Sequence, residues 1–353
     1  VDSVTEFIKK TNKIVKRIDP DILLYLNNSA LRADITGSNT RKVEPYVDML
    51  GAEGGFVWVD RNLTLWHADS MARYIETQAK GKPTVIFIAG DHKPHSYYMH
   101  TAAETKILYA QSVANGANVW YGIHAPTYVM DTPGGRAAVE CNQFLERKEE
   151  YYRKTIPVSK VALMWSMDSA NYYSSSIDAT DFTQSQQLGS SAKRGNHYES
   201  FMGFYEMLVR SHVQFEVIDE YNIHDGTISR YDCLFLPTCA CMSGETAANI
   251  RRYVENGGNI VATFDTGFYD EKGRYLEKPR LGDVFGVEET DGIVCYETPG
   301  TGFQRIRKDS WLAKGLSSDL IPSPNLAVRF SPSRGTQVSA SYLEPMKGRY
   351  VAL

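Results

Sequence analysis

Residues 21–29 read DILLYLNNS, an apolar run that gives way to polar residues. A strand covered by helices on both faces of its sheet carries such a continuous run instead of alternation. The design returns in YVDMLGAEGGF (46–56), PTVIFIAGDH (83–92) and ANVWYGIHAP (117–126). Ahead of and between these runs the period changes. Val4, Phe7, Ile8, Ile14, Val15 and Ile18 recur at helical spacing until Asp19-Pro20 stops them. Residues 68–79 and 101–115 read as helices closed by KGK and NGA, with glycine where a helix exit favours a left-handed residue. Strand and helix therefore alternate in units of roughly thirty to forty residues, which predicts a parallel α/β sheet.

In every unit the polar and glycine residues follow the strand: Asn27-Asn28, Glu53-Gly54-Gly55, Gly90-Asp91-His92 and His124. Parallel α/β folds bind ligands at the carboxyl ends of their strands, so these four loops are expected to converge on one site.

A charged, proline-containing linker, ERKEEYYRKTIPVSK (146–160), precedes a second series. KVALMWS, FEVIDE, YDCLFLP and NIVATFD read as strands, and 197–211 and 244–256 as helices, the latter with Ser243 as N-cap and Gly257-Gly258 as its stop. This alternation predicts a Rossmann-like or flavodoxin-like three-layer sandwich. From Asp291 onward the chain reads as loops and short strands. Four strand-helix units are half of a (β/α)8 barrel, which takes about 250 residues. Both ends of the chain are accordingly expected to be cut, with barrel strands one to four in a segment before Val1. Half a barrel leaves two open sheet edges.

Composition narrows the classes. With 353 residues, 42% of them hydrophobic, the chain has room for two cores. A net charge of −4, from 38 basic and 42 acidic residues without long runs of either sign, argues against nucleic acid and anionic membranes as partners. No apolar segment reaches the ~20 residues of a membrane span, and nothing at the start reads as a signal peptide. Five cysteines, an odd number in mostly apolar surroundings, fit reduced thiols and a cytoplasmic location. The 12% aromatic content suits a sugar-binding protein, although most of these rings will be core.

Several stretches together resemble one family. LLYLNN, LGAEGGF, KPTVIFIAGDHKPHSYY, AETKILYAQSVANGANVWYGIHA, SKVALMWS, YDCLFLPTCACMSGETAANIRRYVENGGNIVATFDTG and LGDVFGVEE are similar to the later part of clan A glycoside hydrolases. The nearest resemblance is to the family 42 β-galactosidases and related α-fucosidase-like proteins. It implies that 1–157 is the C-terminal half of a TIM barrel, strands five to eight. Residues 158–353 would then be a trimerisation domain with a class I glutamine-amidotransferase-like fold, cut short at its C-terminus. It further implies a carbohydrate substrate, no cofactor, and a homo-oligomer, trimer or dimer, built through the second domain. The family's acid/base glutamate follows strand four and would precede this chain. Its nucleophile is a glutamate at the end of strand seven, where this sequence has Ile88-Ala89-Gly90-Asp91.

Glycoside hydrolysis uses two carboxyl groups, about 5 Å apart for retention and roughly 6.5 to 9.5 Å for inversion. Loops after neighbouring strands start about 4.8 Å apart, which makes Asp91 and Glu53 the candidate catalytic pair. The plain alternative for both is sugar hydrogen bonding or helix capping. His92, His95 and His100 lack the nearby helical acid of a zinc site, so no metal is expected. His92, His95 and His124 are candidate sugar-binding residues, as are Asn27, Arg32 and Trp58 from their loop positions.

The CAC at 239–241 reads as a small-residue strand end packed under a helix. An amidotransferase needs a cysteine on the elbow after NIVATFDTG, and Phe264, Asp265 or Thr266 stands there. ENGGN ends a helix instead of starting one, so it is no phosphate loop. The expected function is a glycoside hydrolase. A catalytically silent carbohydrate-binding or structural relative is the alternative, and an amidotransferase or other hydrolase acting through Cys239 is the third reading.

Overall fold

The computed structural model describes residues 1–28, 36–58, 66–93, 98–122, 130–173, 195–295, 302–324 and 326–343. Among them two compact units form, one from 1–165 and 202–219, the other from 166–173, 195–201 and 220–343.

The first unit is built on four parallel strands, β1 (Tyr25–Asn28), β2 (Met49–Trp58), β3 (Thr84–Lys93) and β4 (Asn118–Gly122), in the order β1-β2-β3-β4. The alternation of strand and helix in the sequence is thus met by a parallel α/β sheet. β1 is shorter than its apolar run because the chain around Leu24 turns to Asp48. The Leu24 N–H donates to the Asp48 carboxylate at 2.8 Å, and the Leu24 carbonyl accepts from the N–H groups of Asp48 and Met49. Helices α1 (Asp2–Ile18), α2 (His67–Gln78), α3 (Ala102–Ala114) and α4 (Pro133–Arg147) accompany the sheet. Helix α3 starts in a capping box between Thr101 and Glu104, and α4 has Thr132 as N-cap with Pro133 at its first position. The exit of α2 passes through Lys80 and Gly81, both left-handed, which only glycine adopts without strain.

One face of the sheet is covered by α2: a Cβ on Gly54 would meet Ile86, Ala68 and Met71. Tyr25, Asn27, Gly51, Glu53, Phe87, Trp120 and Gly122 meet one another on the other face. Tyr25 lies edge-on to Trp120 with ring centroids 5.9 Å apart, although their strands are separated by two others, about 14 Å in a flat sheet. Phe87 meets Trp120 at 5.2 Å in the same manner. The sheet curves, and this face is its concave one. Glycine makes that closeness feasible, since a Cβ on Gly51 or Gly122 would overlap the ring of Tyr25 or Phe87 respectively.

The first unit also includes the parallel pair β5 (Val161–Met164) and β6 (Phe215–Ile218). Polar bonds anchor β6 to α2. The Arg73 guanidinium donates to the Phe215 carbonyl at 2.6 Å and the Thr77 hydroxyl to the Val217 carbonyl at 2.7 Å. Arg41, in a helical turn at Thr40–Val43, grips Asp219 with two bonds of 2.9 Å, and the Gln78 amide adds a third at 3.0 Å. The side chains of Arg41, Asp219 and Gln78 are buried.

In the second unit β7 (Cys233–Leu236) and β8 (Asn259–Ala262) pair in parallel. Helix α5 (Met167–Tyr172) is capped by Ser166, and α7 (Gly244–Glu255) by Ser243, as its sequence suggests. Helix α6 (His197–Arg210) follows α5 in the chain; its first residues, to Phe201, belong to this unit and the rest to the first. Tyr173, Ala240, Cys241, Phe268 and Tyr269 form a local core against which Val328 packs. The last part is antiparallel: β9 (Val287–Cys295) pairs with β12 (Leu326–Pro332), and β10 (Phe303–Ile306) lies between β11 (Leu320–Pro322) and β13 (Ala340–Leu343).

Candidate functional site

Asn27, near the carboxyl end of β1, and Glu53, in the middle of β2, come together on adjacent strands. The Asn27 amide donates to Glu53 Oε1 at 2.9 Å. Below them on the concave face stand Tyr25 and the half-exposed Trp120, 51% accessible, which sequence reasoning passed over. The signal was present in β1, where Tyr25 and Asn27 are two residues apart and must share a face. His67, at the start of α2, bonds to the Glu53 backbone, and burial pulls its imidazole down to about 4.

Asp91 lies elsewhere on the sheet. Glu53 is opposite Phe87 in the register, and Asp91 follows Phe87 by four residues, within the irregular stretch of the ladder between the pairs Gly55–Ile88 and Val57–His92. Asp91 is buried, 1% exposed, and Lys93 Nζ donates to its Oδ2 at 2.9 Å. Beyond it the chain doubles back: Asp91 bridges Met99 in antiparallel sense, and His100 N–H donates to the Gly90 carbonyl at 2.9 Å.

His92, expected on sugar hydroxyls, turns its Nε2 to Glu104 Oε2 at 3.1 Å. That oxygen also accepts from the Thr101 N–H and hydroxyl. Burial raises the Glu104 carboxyl, and the donors from Thr101 and His92 outweigh it and hold the group below its usual range. The His100 ring lies 5.3 Å from that of His92 and is buried; burial takes it down to about 4. Trp58 pairs through its backbone with Lys93. Arg32, His95 and His124 lie outside the described residues.

The strand ends of the second unit are polar, buried and internally satisfied. His197 donates from Nδ1 to the Pro237 carbonyl at 2.9 Å and accepts at Nε2 from the Ser166 N–H at 3.0 Å. Both nitrogens are committed to one neutral tautomer, consistent with burial holding the ring at about 4. Glu220 accepts from the Ser166 hydroxyl and from the N–H groups of Met167 and Asp168, closing the start of α5. The left-handed residue after β8 is Phe264, which offers no nucleophile.

Cys239 is fully buried, and burial, followed by the nearby Glu220 and Cys241, pushes its thiol well above the ordinary range. A protonated, inaccessible thiol is a poor nucleophile. Cys239 is expected to resist iodoacetamide for hours in the native protein and to react only on unfolding, as peptide mapping by mass spectrometry would show. Rapid native labelling would restore the thiol-hydrolase reading.

Among the described residues no group of three or more His, Cys, Asp or Glu side chains is placed to hold a metal ion. None of the described helices is long and apolar enough to cross a membrane.

Residues 159–299 match the family model of the β-galactosidase trimerisation domain. The β-galactosidase of Bacillus circulans sp. alkalophilus superposes with a TM-score of 0.75 at 18% identity, over 97% of this chain and 50% of its own. A catalytic mutant of Gan42B, a family 42 β-galactosidase from G. stearothermophilus, gives 0.74 at 15% identity, over 99% and 51%. The α-L-fucosidase isoenzyme 2 of Paenibacillus thiaminolyticus gives 0.67 at 16% identity, over 98% and 46%. The chain thus spans about half the length of these solved relatives. It has a glycoside hydrolase-like α/β fold, and in that fold and in its trimerisation segment it resembles the family 42 β-galactosidases.

Proposed function

We propose that the protein is a glycoside hydrolase cleaving a galactoside or a fucoside, with Glu53 as the carboxylate that faces the sugar. The observation that carries this is the Asn27–Glu53 pair, set on adjacent parallel strands on a concave face with an accessible Trp120 below. A carboxylate beside an amide donor suits sugar hydroxyls and a developing positive charge, and a flat ring suits a pyranose face. Arg32, Trp58, His92, His95 and His124 are proposed as the surrounding sugar contacts, and Asp91 as a second carboxylate. Under the same reading 1–157 is barrel strands five to eight, 158–353 is an amidotransferase-like domain, the protein assembles into homo-oligomers through the trimerisation segment, and no cofactor takes part.

A silent carbohydrate-binding relative is the second reading. It is favoured by the burial of Asp91 against Lys93. The full-length protein, assayed on a panel of aryl α- and β-glycosides beside Glu53→Gln and Asp91→Asn, separates the two. Cleavage that falls by about three powers of ten or more in Glu53→Gln supports the hydrolase. Undiminished cleavage in Glu53→Gln removes that residue from the chemistry, and an inert parent that still binds glycans establishes the silent relative.

A further inference from the structure

The Tyr25 hydroxyl is buried and, among the described residues, meets no hydrogen-bond partner. A phenylalanine would fill the same space without the cost of an unsatisfied donor. The phenol stands against Gly51, where a Cβ would overlap it, and Gly51 precedes Glu53 by two residues on the same face of β2. Glu53 has one oxygen on Asn27, and among the described residues no side chain donates to the other. An unused donor and an unused acceptor therefore lie next to each other beneath the place where a sugar would sit.

We propose that Tyr25 is a positioning residue of Glu53, its hydroxyl supplying the second donor when a bound sugar displaces water from the carboxylate. Water can serve the free oxygen of the half-exposed Glu53 while the face is open. Once a sugar covers it, an anionic oxygen without a donor is costly, and a small rotation of the glutamate side chain satisfies both groups. Burial, with the charge of Glu53 adding to it, pushes the Tyr25 phenol up to about 12, so it keeps its proton across the working range. The Trp120 edge packed on the ring holds it in place. The inference rests on the reading of Glu53 as the sugar-facing carboxylate.

The test is fluorine NMR of the full chain with 3-fluorotyrosine in place of Tyr25, alone, with Glu53→Gln, and under saturation with galactose or fucose. Steady-state kinetics of Tyr25→Phe run beside it. The resonance is expected to move on Glu53→Gln and on sugar binding, and to lose its response to sugar in the Glu53→Gln background. Tyr25→Phe should lower kcat about tenfold with KM unchanged. A resonance indifferent to Glu53→Gln, or a Tyr25→Phe protein with unaltered kcat or a raised KM alone, overturns the proposal. A chain that cleaves nothing, yet whose resonance answers to Glu53→Gln, supports the coupling and removes only the hydrolase reading.

Discussion

Arg41→Ala is expected to lower the stability of the first unit by about 3–5 kcal/mol, seen as a lower urea midpoint. The guanidinium is 3% and the Asp219 carboxylate 0% exposed, and they meet through two parallel bonds of 2.9 Å. Deleting the cation leaves a buried anion that keeps the Gln78 amide but has lost its counter-charge and two charge-assisted bonds. The loss is then the full desolvation penalty of a charge, whereas exposed pairs such as Lys9–Glu6 contribute little. Asp219→Ala should cost a similar amount by orphaning the arginine. Replacing both by apolar residues, Arg41→Met with Asp219→Leu, should recover most of the loss. A midpoint that does not move in Arg41→Ala would mean that water reaches the site.

The second large effect is loss of stability on acidification between about pH 6.5 and 4. His100 and His197 are buried, and burial takes both imidazoles from the ordinary 6.5 to about 4. In that range the unfolded chain binds protons that the native protein refuses. Stability therefore rises with pH there, is fully present above 6.5, and is lost as pH falls toward 4. Each histidine can contribute roughly 3 kcal/mol at 1.36 kcal/mol per pH unit. Asp168 acts in the opposite sense. Burial and then Glu271 raise its carboxyl to about 6, so its contribution is present at low pH and fades as pH rises toward 6. One half-buried carboxyl does not cancel two buried histidines. Urea midpoints of the wild type should fall steeply between pH 7 and 4.5. They should fall less in His100→Gln, His197→Gln and above all the double variant, even though these start lower at neutral pH. Equal slopes in all four proteins would clear the histidines.

The strands of the first unit and its helix ends were legible because they depend on neighbours in sequence. Apolar runs gave β2 and β3 nearly to the residue, and Ser243 and Gly257-Gly258 bracketed α7. Helix α4 carried its own signals, Thr132 before Pro133, and yet was read only as a charged end at 146–160. The site was less legible. Placing polar residues after strands singled out Asn27 and Glu53, but it could not show that Glu53 stands inside β2, nor that the ladder between β2 and β3 is irregular beyond it. Lys93, two residues from Asp91, neutralises it through a contact that strand alternation alone permits. His197 could not be recognised as an acceptor for Ser166, 31 residues away, nor Arg41 as the partner of Asp219, 178 residues away. Such pairs exist only once the sheet order does.

The anchoring of β6 to α2 has a practical outcome for anyone dividing the gene. Cleavage in the exposed linker around Ile156, the place that composition recommends, removes Phe215, Val217 and Asp219 from a fragment that keeps Arg73, Thr77, Gln78 and Arg41. A polypeptide ending there would lose the β6 groups that receive these donors, and would bare the apolar surface that β6 had covered. It should be recovered as aggregate, whereas one continued past Asp219 keeps these hydrogen-bond partners.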